Sequence, residues 1–106
     1  MDGSRIRGIS LAATAVSDAQ IARLASVQGL EQLNLETTEI GDVGARQLAK
    51  LTSLVELNLS HTTVSDAGLK HLAGLSKLRK LSLNYTLVRG EGLGALRTLE
   101  IGRAHV

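Results

Sequence analysis

Apolar residues return along this chain at two alternating spacings, and the pair of spacings itself repeats every 24 residues. Ile9 and Leu11 flank Ser10, and the triplet recurs as Leu33-Asn34-Leu35, Leu57-Asn58-Leu59 and Leu81-Ser82-Leu83. Alternation with period two marks a short strand with one buried face. An apolar residue also stands three positions before each triplet, at Ile6, Leu30, Leu54 and Leu78. Further on the spacing widens to three, at Ile21 and Leu24, Ala45 and Leu48, Leu69 and Leu72, and Leu93 and Leu96, mostly with Arg, Lys, Gln or His between. That is one stripe of a short helix. The step between equivalent residues is constant at 24 (33−9, 57−33, 81−57). A fixed period of this size predicts a solenoid, in which each unit buries its apolar face only against its neighbours. The expected architecture is therefore α/β: a right-handed coil of about four strand–turn–helix repeats, 6–29, 30–53, 54–77 and 78–99. Its parallel sheet lines the concave side, because strands about 4.8 Å apart pack more closely than the helices outside them.

Polar columns keep the same step. Thr14, Thr38, Thr62 and Thr86 follow the strands. A small hydroxyl there can donate and accept, so this column is expected to be buried and hydrogen-bonded to main chain. Ser17-Asp18 and Ser65-Asp66 precede two of the helices and read as N-caps, whose side-chain oxygens accept from first-turn amides. Gly41-Asp42 keeps the acid, and Arg89-Gly90 keeps neither residue. Gly44, Gly68 and Gly92 form a column where a missing side chain lets the helix approach the coil.

Written as LxxLxLxxTxVSDxGLxxLxxL, the unit resembles the leucine-rich repeat over Ile6 to Leu99. Among its subtypes it looks like the ribonuclease-inhibitor-like and cysteine-containing class, with Thr where those carry Asn or Cys. Ile40 through Ala49 is similar to the GALA variety of bacterial effectors and F-box-like proteins. Thr63 to Leu69 resembles repeats abundant in environmental bacteria such as planctomycetes. The resemblance implies a bacterial solenoid that recognises protein partners and leaves the partner unspecified.

The register fails after Leu99. Leu30, Leu54 and Leu78 predict an apolar residue at 102, where Gly102 stands, and His105 stands where another Leu is due. Glu100 to Val106 resembles the translation of a sequencing-adapter oligonucleotide. The expectation is a repeat domain over 1–99 and a non-native tail over 100–106, outside the core and forming no fifth regular strand. At the other end Gly3 stands in the column of Val27, Leu51 and Leu75, while Arg5-Ile6-Arg7-Gly8-Ile9 is already in register. Solenoids need polar-faced terminal units, and neither end carries one, so the repeats are expected to belong to a longer chain.

Composition narrows the chemistry. Of 106 residues 43% are hydrophobic but only 1% aromatic, with no Cys, Pro, Trp or Phe, so the core is aliphatic. Without Cys there is neither a disulfide nor a thiolate metal site, an expectation that leans toward the cytoplasm. Twelve basic against ten acidic residues leave a net charge of +2, spread along the chain. Such an excess makes no electrostatic footprint for nucleic acid. No apolar run approaches the roughly 18–20 residues of a membrane span.

Apparent catalytic motifs dissolve on inspection. Gly90-Glu91-Gly92-Leu93-Gly94 lacks both the full GxGxxG spacing and the Walker lysine. Ser60, His61 and Asp66 are the residue types of a nucleophile triad, but neighbours on a strand point to opposite faces. His61 and His71 have no carboxylate or thiolate to complete a metal set. The expectation is a protein without catalytic, cofactor or metal residues. What remains is the outward face of the sheet. Gly8, Ser10, Ala12 and Ala13 begin it, and Thr37 lies on it; its candidate partner-binding residues are Gln32, Asn34, Glu36, Glu56, Asn58, Ser60, His61, Lys80, Ser82, Asn84 and Tyr85. Tyr85, the single aromatic, is of the type enriched at binding hot spots, and equally of a type that fills a solvated loop. The expected function is a non-catalytic module holding a protein across these strands. The alternatives are spacer repeats of a larger signalling or effector protein, and an electrostatic binder of acidic surfaces or nucleic acid, which Glu36 and Glu56 oppose.

Overall fold

The two-residue alternation does produce strands in the computed structural model, which describes residues 7–27, 29–91, 94 and 103–105. They are β1 (Gly8–Ser10), β2 (Gln32–Asn34), β3 (Glu56–Asn58) and β4 (Lys80–Ser82), all parallel and in sequence order. Ile9, Leu33, Leu57 and Leu81 stand side by side, as do Ser10, Asn34, Asn58 and Ser82, so the pairing keeps the 24-residue step. The helices are short: α1 (Asp18–Ile21), α2 (Asp42–Leu48) and α3 (Asp66–His71), with 3₁₀ turns at Ala22–Ser26 and Leu72–Gly74. The expected stripe of Leu93 and Leu96, the column residue Ile6, and Leu99 to Gly102 lie outside the described residues.

The core is the set of columns read from the sequence. Leu33, Leu35, Leu57, Leu59, Leu81 and Leu83 are buried, together with Leu30, Leu54 and Leu78 and the helix residues Ile21, Ala45, Leu48, Leu69 and Leu72. Each such Leu or Ile contributes roughly 1.5–3 kcal/mol of transfer free energy. In the first repeat Ile9, Leu11 and Leu24 are only partly buried. Asn34, Asn58 and Ser82 stay half-buried on the opposite face of the strands.

The threonine column closes the turn after each strand. Its hydroxyls donate to the carbonyl three residues back, Thr14 to Leu11 at 2.6 Å, Thr38 to Leu35 at 2.7 Å, Thr62 to Leu59 at 2.6 Å and Thr86 to Leu83 at 2.8 Å. Thr38 and Thr62 are buried as expected; Thr14 is exposed and Thr86 half-buried. The residue before each threonine is left-handed: Ala13, Thr37, His61 and Tyr85 have φ of 57°, 57°, 58° and 57°. Neither Gly nor Asn marks this column, so the sequence does not announce it.

The aspartates correct the capping expectation. Each opens a helix, yet its carboxylate reaches into the following repeat rather than its own first turn. Asp18 Oδ1 accepts from the Gly41 amide at 2.8 Å. Asp42 accepts the Ser65 amide at 2.8 Å and the Ser65 hydroxyl at 2.6 Å. Asp66 accepts from the amides of Arg89 and Gly90. Ser65 does cap its own helix, accepting from the Ala67 amide at 3.3 Å. In the first repeat Ser17 is the N-cap, its amide donating to Gln20 Oε1 at 2.9 Å in a capping box. The glycine column serves the same clasp, because a Cβ on Gly44 would collide with Asp18 Oδ1, and one on Gly68 with Asp42 Oδ1.

The tail also departs from expectation. Arg103–His105 forms a fifth strand, β5, parallel to β4 with Lys80 opposite Arg103, Leu81 opposite Ala104 and Ser82 opposite His105. The step here is 23 (103−80). Shifted by that one residue, the sequence aligns Ile101 with Leu78, Ala104 with Leu81 and Val106 with Leu83, restoring the apolar alternation that a rigid 24-residue step breaks.

Candidate interaction surface

Because strand side chains alternate, burying the Leu of each triplet sends its polar neighbours to the other face. That face is an open groove of about 530 Å³, lined by β1 to β4. Gln32, Glu56 and Lys80 form one row across it, and Asn34, Asn58 and Ser82 the next. Six of the candidate residues are thus brought together on one surface.

The rows differ in freedom. Lys80 Nζ lies 3.5 Å from Glu56 Oε1, with both side chains well exposed. Such a pair contributes at most about 1 kcal/mol and is easily exchanged for a partner's charges. Asn34 Oδ1 accepts from the Glu36 amide and Asn58 Oδ1 from the Ser60 amide, each at 3.0 Å. These bonds steady the strand exit and fix which end of each Asn is committed.

The other five candidates are not groove-lining; four stand at the margin where the chain leaves the sheet. Glu36 is half-buried, and Asn84, His61 and Tyr85 are exposed. The rings of His61 and Tyr85 stack with centroids 4.8 Å apart and planes inclined by 22°. Ser60 corrects the expectation: it is only 4% exposed, and its Oγ accepts from the Asn84 amide at 3.1 Å. Its place opposite the next turn makes it part of the scaffold. The triad residue types are equally committed elsewhere, Ser60 to Asn84, His61 to Tyr85 and Asp66 to Arg89 and Gly90. Among the described residues no group of three His, Cys, Asp or Glu could hold a metal ion, and no helix is long and apolar enough to cross a membrane.

Two features escaped sequence reasoning. Thr37 joins His61 and Tyr85 as a left-handed residue with an exposed side chain, and the aspartate clasp holds the strands' far ends in register. The pairing of each Asp with a Gly in the following repeat, Asp18 with Gly44 and Asp42 with Gly68, was the available signal for the clasp.

The family model for the leucine rich repeat matches residues 14–88, more than half of the chain. Among solved structures, the fold is similar to that of an internalin from Listeria monocytogenes, with a TM-score of 0.63 and 17% identity over 96% of this chain and 35% of that one. At that identity the likeness is one of fold, and this chain spans about a third of the internalin's length. No curated protein sequence matches this chain.

Proposed function

Since the chain belongs to the leucine-rich repeat family, we propose that it is a non-catalytic module of bacterial origin that holds a protein partner against the groove face of its sheet. The observation that carries this reading is the groove itself, an open surface of about 530 Å³ lined by four strands. Its rows present a uniform ladder, so a partner lying across the strands meets Gln32, Glu56 and Lys80 at intervals of about 4.8 Å. The exposed charges can be re-paired at little cost, and Nδ2 of each Asn remains a donor beside the committed Oδ1. Nothing in the arrangement favours a reacting group: the one Ser–His–Asp set of residue types is spent on turns and on the clasp.

A photo-reactive residue placed at Gln32 or at Asn58 should cross-link a protein from the source cell, and the same residue at Arg46 or Lys70 on the helix side should not. Glu56→Lys should weaken that capture without unfolding the chain, and Lys70→Ala should leave it unchanged. Cross-links only from the helix side would defeat the groove assignment. Cross-links from neither side would leave the repeats as a spacer.

A further inference from the structure

The margin where the chain leaves the sheet has a composition unlike the groove. Its three columns are Ala12, Glu36, Ser60 and Asn84; Ala13, Thr37, His61 and Tyr85; and Ala15, Glu39, Thr63 and Leu87, of which only Ser60 is buried. No Lys or Arg occupies any of them, and Arg89 is the first base after Leu87. Glu36 and Glu39 form no ion pair among the described residues. By contrast, the groove's Glu56 already faces Lys80.

The second column is held against its own preference. A left-handed backbone suits Gly or Asn and strains a bulky side chain by roughly 1–2 kcal/mol. Here it carries Thr37, His61 and Tyr85. The strain brings two rings into a stack and lifts them out of the sheet, leaving Tyr85 80% exposed. One step beyond, Leu87 is 57% exposed. The margin therefore runs from two carboxylates on the second repeat, without an ion pair among the described residues, through an exposed aromatic pair, to an exposed Leu on the fourth.

We infer that this margin is the specificity-determining part of the interaction surface, and that it receives a segment of the partner carrying a basic residue, an arginine above all, beside an apolar one. The inference rests on the groove reading and names the chemistry of the partner. A guanidinium can pair in bidentate fashion with Glu36 or Glu39 while the apolar residue lies two repeats on, against Tyr85 and Leu87. Two strand spacings separate the acids from Leu87, about 10 Å, the reach of about three residues of extended chain. An acidic segment would meet two like charges and no Lys or Arg in these columns.

Tyr85 is the chain's only Tyr and there is no Trp, so intrinsic fluorescence reads this site alone. The probe is a short peptide with one arginine and one leucine three positions apart, and its control carries glutamate in place of the arginine. The arginine peptide should change Tyr85 emission saturably and the glutamate peptide should not. His61→Ala and Glu36→Gln should each weaken the response by about two- to fivefold, the range of an exposed aromatic or ion-pair contact. Lys70→Ala should leave it unchanged. An equal response to both peptides, or none to either, would overturn the basic-segment assignment. If the groove cross-links at Gln32 and Asn58 survive that failure, only the margin is wrong; if they vanish as well, the groove reading falls with it.

Discussion

A single carboxylate explains two columns of this sequence at once. Asp42 takes the amide and the hydroxyl of Ser65, and Gly68 is bare because a Cβ there would occupy the place of Asp42 Oδ1. Helix propensity argues the opposite, since Ala is favoured over Gly inside a helix by about 1 kcal/mol. The clasp wins, because an unpartnered amide at a repeat junction costs about 1–3 kcal/mol. Gly68→Ala should therefore destabilise the chain by about 1–3 kcal/mol despite its better propensity. In the background of Asp42→Ala the same change should cost far less, with a coupling of about 0.5–3 kcal/mol in a double-mutant cycle. Urea unfolding of the four proteins measures it, and additive effects would mean that the glycine answers to the helix and not to the carboxylate.

At the scale of elements, strands and helices were legible wherever one repeat's own residues specify them. The Leu33, Leu57 and Leu81 register follows from alternation alone, and the helix stripe of Ala45 and Leu48 from a spacing of three. What stayed hidden depends on the neighbouring repeat. Asp18 and Asp42 look like ordinary N-caps until the next unit's amides stand beside them. Ser60 looks like a surface residue until Asn84 of the following turn covers it. His61 and Tyr85 stack only because the 24-residue step stands one over the other. The groove face was readable as a row of outward positions; the separation of groove from margin was not, since it depends on a backbone turn that no Gly or Asn marks. β3 lies at the centre of the sheet, paired on one side with β2 and on the other with β4. Leu57→Ala at its centre should cost about 2–5 kcal/mol. The larger end of that range is expected, because the flanking Leu33 and Leu81 are themselves fixed in the sheet and cannot collapse into the gap. A shift in the urea midpoint worth under about 1 kcal/mol would mean that the core repacks freely.

For the molecule as a whole, stability is a sum over repeats and the junctions between them, so what covers each end matters more than in a globular core. The first repeat is the less covered one: Ile9, Leu11 and Leu24 are only partly buried, and Thr14 lies exposed where Thr38 and Thr62 are covered. At the other end Leu81 is 1% exposed and Leu83 fully buried. β5 lies against β4 there, one residue out of the regular step. The two ends should therefore behave differently in native-state hydrogen exchange. The Leu11 amide, bonded to Asn34, should exchange faster than its equivalents at Leu35 and Leu59, which bond to Asn58 and Ser82 inside the coil. Removing residues 100–106 should uncover the edge of β4. The expected result is a loss of about 1–3 kcal/mol, the worth of two or three net hydrogen bonds, with the Leu59 amide losing protection before Leu35 does. A tail that adds nothing to the solenoid would leave the urea midpoint and both amides unchanged.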